Sequence, residues 1–199
     1  MRNEIKFKGQ YSEFRTLLNN LNAFRTFPTR NVNSIYFDTK ELEFFIDSEE
    51  GTVPRKKIRY RWYDSKEMLK KGSIEIKKTF ATYRDKDNVK TNNLAFSKVM
   101  DMCENLASRP LLPVVKVTYD RDYFLDTKGN RFTVDYNIRY FSLFNEISKL
   151  QVKNQAFEKY SILEVKTELD VDQDQLITDF GDKRVRHSKY CEAVKHCYI

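Results

Sequence analysis

In the stretch KIRYRWY, residues 57–63, a basic residue occupies every second position up to Arg61, and apolar residues lie between them. Successive side chains of a β-strand point to opposite faces of the sheet. The stretch therefore predicts a strand with one apolar face and one basic face, which carries Arg59 and Arg61. Because an apolar face is typical of core packing, the arginines face either water or an anionic ligand.

Period-two alternation, or enrichment in β-branched and aromatic residues, predicts six further strands. They are EIKFK (4–8), NSIYFDT (33–39), SIEIKKT (73–79), VVKVTYDRDYF (114–124), RFTVDYNIRY (131–140) and SILEVKTEL (161–169). The sequence LDTKGN (125–130) is typical of a hairpin turn in which Gly129 is available for positive φ. These strands predict a large antiparallel sheet.

Fewer segments show the helical spacing of apolar residues. The predicted helices are one capped by Ser12, a second over 94–108, a short one from Asp172 or Asp174 to Phe180, and a last one from about His187 to His196. Gly and Pro are scarce, and no change in composition marks a linker. The sequence therefore predicts an α+β fold in a single domain over residues 1–199.

The chain is basic, with 36 Lys and Arg against 29 Asp and Glu and a formal net charge of +7. Such a balance favours an anionic partner, which could be nucleic acid, acidic lipid or a phosphate compound. The charged N-terminal residues predict no signal peptide, and no apolar run approaches the roughly 20 residues of a membrane helix. Because the three cysteines form no even framework, a reducing cytoplasmic location is expected.

Three predicted strands each carry a glutamate and a lysine two residues apart, and therefore on one face. The pairs are Glu4 and Lys6, Glu75 and Lys77, and Glu164 and Lys166. Solvated outer faces with cross-strand ion pairs are the simplest interpretation. Closing the sheet into a barrel would instead gather these faces around a lumen, where an anionic ligand would relieve repulsion between the cations. A polyphosphate chain has that charge and length, and the carboxylates would then hold a divalent metal ion.

Eight stretches in fixed order carry a resemblance that covers nearly the whole chain. They are EIKF (4–7), NSIYFDT (33–39), KIRYRWY (57–63), IEIKKT (74–79), VTYDRDYF (117–124), RFTVDYNI (131–138), LEVKTE (163–168) and HSKY (187–190). Together they resemble the catalytic domain of the vacuolar transporter chaperone (VTC) family, the polyphosphate polymerase branch of the triphosphate tunnel metalloenzymes and a relative of the CYTH-like proteins.

The resemblance implies an eight-stranded antiparallel β tunnel, the triphosphate tunnel fold, with helices packed outside it. It also implies an ATP-dependent polyphosphate polymerase, a transferase that moves the γ-phosphate of ATP onto a growing polyphosphate chain with Mn²⁺ or Mg²⁺. The implied partners are ATP and polyphosphate, or inorganic triphosphate, and no nucleic acid. Membrane-bound polymerases of the family carry transmembrane helices, which this sequence does not show, so a membrane-protein partner stays open.

The residues that the resemblance assigns to phosphate binding are Lys6, Arg59, Arg61, Lys77, Tyr119, Arg121, Arg131, Lys166, Ser188 and Lys189. The implied metal ligands are Glu164, Glu4 and Glu75. The implied catalytic residues are Arg59, Arg61, Lys77, Arg121, Arg131 and Glu164. Lys116 has an even residue number whereas Tyr119 and Arg121 have odd numbers, so on a regular strand Lys116 would point to the opposite face of the sheet. Either a bulge intervenes or Lys116 points away from the lumen.

Two alternatives within the same fold stay open. A metal-dependent inorganic or nucleoside triphosphatase would bind the same donor and use water as the acceptor, and a non-catalytic domain would bind polyphosphate or other anions without turnover. The presence of Glu164 favours a metal-dependent function. Nucleic-acid binding is disfavoured, because Tyr60 and Trp62 share the apolar face and acidic residues on the basic faces would repel a phosphate backbone.

Overall fold

The computed structural model describes residues 2–64, 70–143, 155–168, 178 and 180–199. The strands within these ranges are β1 (Arg2–Gly9), β2 (Phe24–Asp38), β3 (Arg55–Tyr63), β4 (Lys71–Thr79), β5 (Arg84–Asn92), β6 (Leu112–Leu125), β7 (Arg131–Ser142), β8 (Gln155–Phe157) and β9 (Ser161–Glu168). The helices within them are α1 (Tyr11–Asn20), α2 (Glu43–Glu50), α3 (Phe96–Ala107) and α4 (Lys189–Tyr198), with a 3₁₀ turn over Gly181–Lys183.

The strands form one nine-stranded sheet in the order β1-β9-β7-β6-β2-β3-β4-β5, and β8 pairs with β7. The pairings of β1 and β7 with β9, and of β2 through β5 with one another, are all antiparallel. Within the described ranges no pairing joins the end strands β1 and β5. The predicted α+β class and antiparallel sheet are confirmed, and the sheet contains two strands that the sequence pattern did not predict, β5 and the three-residue β8.

The chain divides into two compact units, each with its own core. Unit 1 comprises Met1–Arg30, Tyr119–Ile138 and Phe157–His187, and unit 2 comprises Asn31–Thr118, Arg139–Ala156 and Ser188–Ile199. Unit 1 contains α1 and the strand pair β1–β9, whereas unit 2 contains strands β3 to β5 and the helices α2, α3 and α4. No helix of the described residues is both long enough and apolar enough to cross a membrane.

The core of unit 2 lies on the apolar face of β3, where Ile58, Tyr60 and Trp62 are buried. Their neighbours in this core include Ile35, Phe37, Ile74 and Ile76 from β2 and β4 and Val99, Cys103 and Ala107 from α3. The α3 residues recur every four positions, so helical geometry puts them on one side of the helix. A Cβ on Gly72 would lie 2.2 Å from the Tyr60 hydroxyl, so glycine is required at this close approach.

The core of unit 1 packs α1 against its strands. Phe14 and Leu18, four residues apart on α1, are both fully buried. They belong to a cluster with Ile5, Phe7, Phe132, Val134, Leu163 and Val165. The helix begins one residue before the predicted cap Ser12, because Gln10 and Glu13 form a capping box in which Gln10 N donates to Glu13 Oε2 at 3.0 Å.

Helix α2 was not predicted, and its N-terminus is held by the last residue of β2. The buried Asp38 carboxylate accepts hydrogen bonds from the backbone N–H groups of Thr39 at 2.7 Å and of Phe44 and Phe45 at 2.9 Å. The hydroxyl of Tyr190, on α4, also donates to it. One side chain therefore ties β2 to the first turn of α2 and to α4 of the same unit.

Asp38→Ala is expected to lower the free energy of unfolding by about 3 to 4 kcal/mol. The substitution removes a helix cap and leaves buried donors without an acceptor, at roughly 1 to 3 kcal/mol for each group. Urea unfolding followed by circular dichroism measures the change. Asp47→Ala, on the partly exposed side of the same helix, is the control and should change the free energy by less than about 1 kcal/mol. Equal effects of the two substitutions would contradict the capping role.

One local prediction is confirmed, and a second stays a prediction. The turn at 125–130 is confirmed, because Gly129 has a φ of 85° and its N–H donates to the carbonyl of Asp126 at 3.2 Å. Most of the short helix predicted from Asp172 or Asp174 to Phe180 lies outside the described residues.

Candidate functional site

The first polar cluster lies in unit 2, on the face of β3 opposite its apolar core. This arginine face is formed by Ser34 and Tyr36 of β2, Lys57, Arg59 and Arg61 of β3, Ser73, Glu75 and Lys77 of β4, and Lys86 of β5. Tyr36, Arg59 and Glu75 are directly opposite one another across three strands. Directly opposite residues project to the same side of a sheet. The alternation in KIRYRWY therefore gathers these polar groups away from the core.

Both arginines of this face are held by hydrogen bonds. Arg59 donates from Nε and Nη2 to Glu75 Oε2 at 3.0 and 2.5 Å, and from Nη1 to the Tyr36 hydroxyl at 3.1 Å. Arg61 is buried and donates from Nε to Ser34 Oγ at 3.2 Å. These contacts orient the two guanidinium planes, and an oriented plane suits paired hydrogen bonds to phosphate oxygens.

Three lysines of the arginine face form a row across neighbouring strands. Lys57 of β3 is directly opposite Lys77 of β4, which is directly opposite Lys86 of β5. Like charges directly opposite on one face destabilise a sheet. We call these three residues the lysine row. Among the residues that define the arginine face, five are basic and one, Glu75, is acidic, so the face is suited to an anionic ligand.

The start of helix α4 lies beside the lysine row. Ser188 is the N-cap residue, and its Oγ accepts from the backbone N–H of Cys191 at 3.4 Å and from Lys57 Nζ at 3.0 Å. Tyr190 stacks on Tyr36 with ring centroids 5.2 Å apart. The predicted phosphate ligand Ser188 therefore contacts a lysine of the arginine face, and it also caps the helix.

The positive charge of the arginine face shifts the pKa values of its acidic groups. Burial raises the pKa of Glu75, but Arg59 and Arg61 outweigh burial and lower it to about 2. Burial likewise raises the pKa of Tyr36, and the same two arginines together with Lys189 bring it below its ordinary value. Both shifts follow from excess positive charge, and the Glu75 carboxylate is ionised at neutral pH.

The lowered pKa of Glu75 predicts a pH-dependent contribution to stability. The carboxylate is ionised in the folded state down to pH about 2 and in the unfolded chain only above about 4.5. Its contribution is therefore complete above pH 4.5 and disappears as the pH falls to about 2, with an upper limit of about 3 kcal/mol. We expect the free energy of unfolding of the wild type to decline more steeply than that of Glu75→Gln over this range. Denaturant unfolding at a series of pH values measures the difference, and parallel curves would contradict the assignment.

The second polar cluster lies in unit 1. This glutamate cluster consists of Glu4 and Lys6 of β1, Arg131 and Thr133 of β7, and Glu164 and Lys166 of β9. Glu164 is directly opposite Lys6 on one side and Thr133 on the other. The predicted spacing of the charged pairs is thus what aligns acids and bases on neighbouring strands.

Glu164 is the most buried charged group of this cluster, with 8% of its surface exposed. Its carboxylate lies 2.8 Å from Lys166 Nζ and 3.8 Å from Lys6 Nζ, and Lys6 Nζ also lies 3.1 Å from Glu4. Burial raises the pKa of Glu164, but Lys6 and Lys166 outweigh burial and hold it below its usual range. The carboxylate is therefore charged at neutral pH.

Arg121 and Tyr119, both predicted to bind phosphate, lie together in unit 1. Arg121 donates from Nε and Nη2 to the two carboxylate oxygens of the fully buried Asp135 at 2.5 and 2.7 Å. Its guanidinium lies 5.3 Å from the centre of the Tyr119 ring. Burial lowers the pKa of Arg121, but Asp135 raises it well above its usual value. Asp135 engages two of the five N–H donors of the guanidinium and fixes its plane.

The glutamate cluster has the chemistry of a site for Mn²⁺ or Mg²⁺, which prefer oxygen ligands. Glu164 supplies an ionised carboxylate, and a carboxylate oxygen of Glu4 lies 3.1 Å from Lys6 Nζ in the same cluster. The hydroxyl oxygen of Thr133 is buried and, within the described ranges, has no hydrogen-bond partner. A buried polar atom without a partner is uncommon, and a bound ion or water is one explanation for it. The residues present therefore fit a divalent ion.

The two clusters account for the predicted site residues as follows. The arginine face contains Arg59, Arg61, Lys77 and Glu75, and the adjacent start of α4 contains Ser188 and Lys189. The glutamate cluster contains Lys6, Arg131, Lys166, Glu4 and Glu164. The same unit as the glutamate cluster also contains Tyr119 and Arg121. Lys116 contacts the rings of Trp62 at 5.8 Å and Phe141 at 5.5 Å. Because Trp62 belongs to the apolar core of unit 2, Lys116 lies away from the arginine face, which agrees with its parity.

Six residues of the clusters were not predicted as site residues: Ser34, Tyr36, Lys57, Ser73, Lys86 and Thr133. Lys86 lies on β5, whose sequence RDKDNVKTN shows no alternation of apolar residues. Lys57 begins the stretch KIRYRWY, and its position near the end of the predicted strand indicated that it stays outside the site; the structure instead sets it directly opposite Lys77 on the arginine face. Thr133 is separated from Arg131 by one residue, but a threonine on a strand is ordinary, and only the burial of its hydroxyl distinguishes it.

Comparisons with known proteins identify both a family and a fold. A sequence model of the VTC domain matches residues 5–198, and no curated protein matches the chain in sequence. A protein from Pyrococcus horikoshii is similar in structure with a TM-score of 0.59 and 14% identity over 97% of this chain and 99% of its own.

Two further solved structures are similar over nearly their whole length. A Bacillus halodurans protein provisionally named an adenylate cyclase has a TM-score of 0.60 and 11% identity over 100% of this chain and 99% of its own. A Hippeastrum protein provisionally named an adenylyl cyclase, and stated to have a dominant triphosphatase activity, has a TM-score of 0.54 and 13% identity over 97% of this chain and 96% of its own. At such identities the likeness concerns the fold, and the predicted fold class is confirmed.

Proposed function

Because this chain belongs to the VTC domain family, we propose that it is a polyphosphate polymerase that transfers the γ-phosphate of ATP to a growing polyphosphate chain. The observation that carries the proposal is the lysine row beside two oriented arginines. Lysines directly opposite on neighbouring strands repel each other. A chain of linked phosphates bound along the row would reduce that repulsion on all three strands.

Phosphoryl transfer depends more on positioning and charge stabilisation than on covalent help from the protein. In the proposed mechanism, Arg59 and Arg61 bind and orient phosphate oxygens through paired N–H groups, and the lysine row supplies mobile point charges. A terminal oxygen of the acceptor polyphosphate forms the new bond to the γ-phosphorus. The bond from that phosphorus to the β,γ-bridging oxygen breaks, and ADP leaves with the bonding electrons. No side-chain nucleophile is needed.

The proposal also assigns a metal site to unit 1. Glu164 and Glu4, with the Thr133 hydroxyl, would hold Mn²⁺ or Mg²⁺. When bound, such an ion neutralises charge on phosphate oxygens. The other proposed phosphate ligands of unit 1 are Lys6, Tyr119, Arg121, Arg131 and Lys166, and those at the start of α4 in unit 2 are Ser188 and Lys189.

A triphosphatase is the second candidate function. It is favoured by the Hippeastrum protein of similar fold, for which a dominant triphosphatase activity is stated. Hydrolysis would use the same donor-binding residues, and water would replace the acceptor phosphate. Both functions make ATP or inorganic triphosphate the substrate, and a role in the cytoplasm, where ATP is abundant, is part of the proposal.

The deciding experiment incubates the purified protein with ATP and Mn²⁺ and resolves the products on a polyphosphate gel. A ladder of long phosphate chains together with ADP supports the polymerase. Free phosphate without a ladder supports the triphosphatase. Tight binding of polyphosphate without consumption of ATP contradicts both enzymatic functions and supports a binding domain.

A further inference from the structure

Glu75 lies among positive charges on the arginine face. Its Oε2 atom accepts from Arg59 Nε and Nη2 at 3.0 and 2.5 Å, and lies 3.3 Å from Lys86 Nζ and 3.9 Å from Arg61 Nη1. The side chain is 7% exposed. Three cations from two neighbouring strands thus converge on a single carboxylate oxygen.

This geometry disfavours the metal-ligand role that the sequence predicts for Glu75. A divalent cation bound to Oε2 would lie beside three positive side chains that already contact the same atom. Repulsion between like charges at such distances outweighs the attraction of one carboxylate. The cations that surround Glu75 are instead suited to an anion, because guanidinium and ammonium groups bind carboxylate and phosphate oxygens in the same way.

We propose that Glu75 is an internal counter-ion that occupies the position of a phosphate oxygen on Arg59 and is displaced when a triphosphate or polyphosphate chain binds. The inference rests on the proposed function and adds a determinant of affinity to it. In the ligand-free protein the carboxylate keeps Arg59 and Lys86 from repelling each other. On binding, these side chains exchange the carboxylate oxygen for phosphate oxygens.

The displaced carboxylate limits how tightly phosphate chains are held. It remains beside the ligand as a negative charge, because its contacts lie on the same face that binds phosphate. A polymerase must release or advance its product after each transfer, so a built-in competitor is useful to it. Removing the charge of Glu75 should therefore strengthen the binding of phosphate chains and slow their release. The opposite result is expected for a carboxylate that binds a metal ion.

The test compares Glu75→Gln with the wild type in binding inorganic tripolyphosphate, measured by isothermal titration calorimetry in EDTA. We expect Glu75→Gln to bind on the order of tenfold more tightly. Asp87→Asn is the matched control: it adds the same charge, and Asp87 pairs with Lys78 at 2.8 Å on the opposite face of the same two strands. Its affinity should stay within about twofold of the wild type.

The outcomes separate this inference from the proposed function. Binding by the wild type without a gain in Glu75→Gln overturns the inference alone, as does a gain of equal size in Asp87→Asn. A loss of affinity in Glu75→Gln that is seen only with Mn²⁺ also overturns it, because that result identifies a metal ligand. Absence of binding in all three proteins overturns the proposed function together with the inference.

A second variant keeps the inference testable if Glu75→Gln does not fold. Glu75→Asp keeps the charge but shortens the side chain, so its carboxylate reaches Arg59 less well. We expect Glu75→Asp to bind tripolyphosphate more tightly than the wild type does. The gain in affinity should be smaller than that of Glu75→Gln. If Glu75→Gln does not fold, a lower affinity of Glu75→Asp than of the wild type overturns the inference.

Discussion

Glu164→Gln is expected to lower metal-dependent consumption of ATP on the order of a thousandfold while leaving the protein folded. The carboxylate is ionised at neutral pH because Lys6 and Lys166 hold its pKa below its usual range. An amide of the same size has no charge with which to hold a divalent ion. The loss of several kcal/mol of charge stabilisation at the transferring phosphate corresponds to the stated factor.

Initial rates at increasing Mn²⁺ concentration measure this effect and its cause. Glu164→Gln should need more Mn²⁺ for half-maximal rate and should reach a much lower plateau. Glu13→Gln is the control, because it removes a carboxylate from another ion pair of the same unit, in which Glu13 lies 2.9 Å from Lys183. Its rate should be unchanged. A Glu164→Gln protein with a normal rate and a normal Mn²⁺ requirement would remove Glu164 from the metal site.

Arg61→Ala is expected to weaken binding of inorganic tripolyphosphate by at least about a hundredfold. Two charge-assisted hydrogen bonds to phosphate contribute about 3 kcal/mol or more when water is excluded. Arg61 is 7% exposed and its plane is fixed by Ser34. Arg61→Lys should recover only part of the affinity, because an ammonium group cannot form the paired contact.

Calorimetric titration and thermal unfolding of the same samples distinguish lost binding from lost folding. Arg109→Ala is the matched control, since Arg109 is an exposed arginine of unit 2 in an ion pair with Glu43. It should bind tripolyphosphate like the wild type. If folded Arg61→Ala also binds like the wild type, the arginine face is not the phosphate site.

The sequence was most informative where apolar and polar residues alternate. β3 was predicted nearly to its ends because Ile58, Tyr60 and Trp62 meet α3 while Arg59 and Arg61 point away. β2 was predicted from Asn33 onward, but it begins at Phe24, since its first seven residues are exposed and show no such alternation. β5 was missed for a related reason. Its pairing with β4, rather than its own composition, makes it a strand.

The candidate site was predictable where the alternation of side chains between the two faces of a strand decides which residues share a face. Parity puts Arg59 and Arg61 on one face and Glu164 and Lys166 on another, and both placements agree with the strand register. Which strand lies beside which was not available from local pattern. The register that sets Lys86 against Lys77 depends on the pairing of β4 with β5. Contacts such as that between Glu75 and Arg59 also depend on how far a side chain extends towards the neighbouring strand, which a local pattern does not show.

The hydrogen bond from Tyr190 to Asp38 has an evolutionary consequence. Both residues lie in stretches that resemble family motifs, NSIYFDT and HSKY, yet their contacts secure α2 and α4 of unit 2. A descendant that had lost phosphate chemistry would still need them to fold. Under the proposed function, selection would release the lysine row and Glu164 first. We therefore expect these residues, and not the tyrosine of SKY, to separate active members of the family from inactive ones in a genome survey.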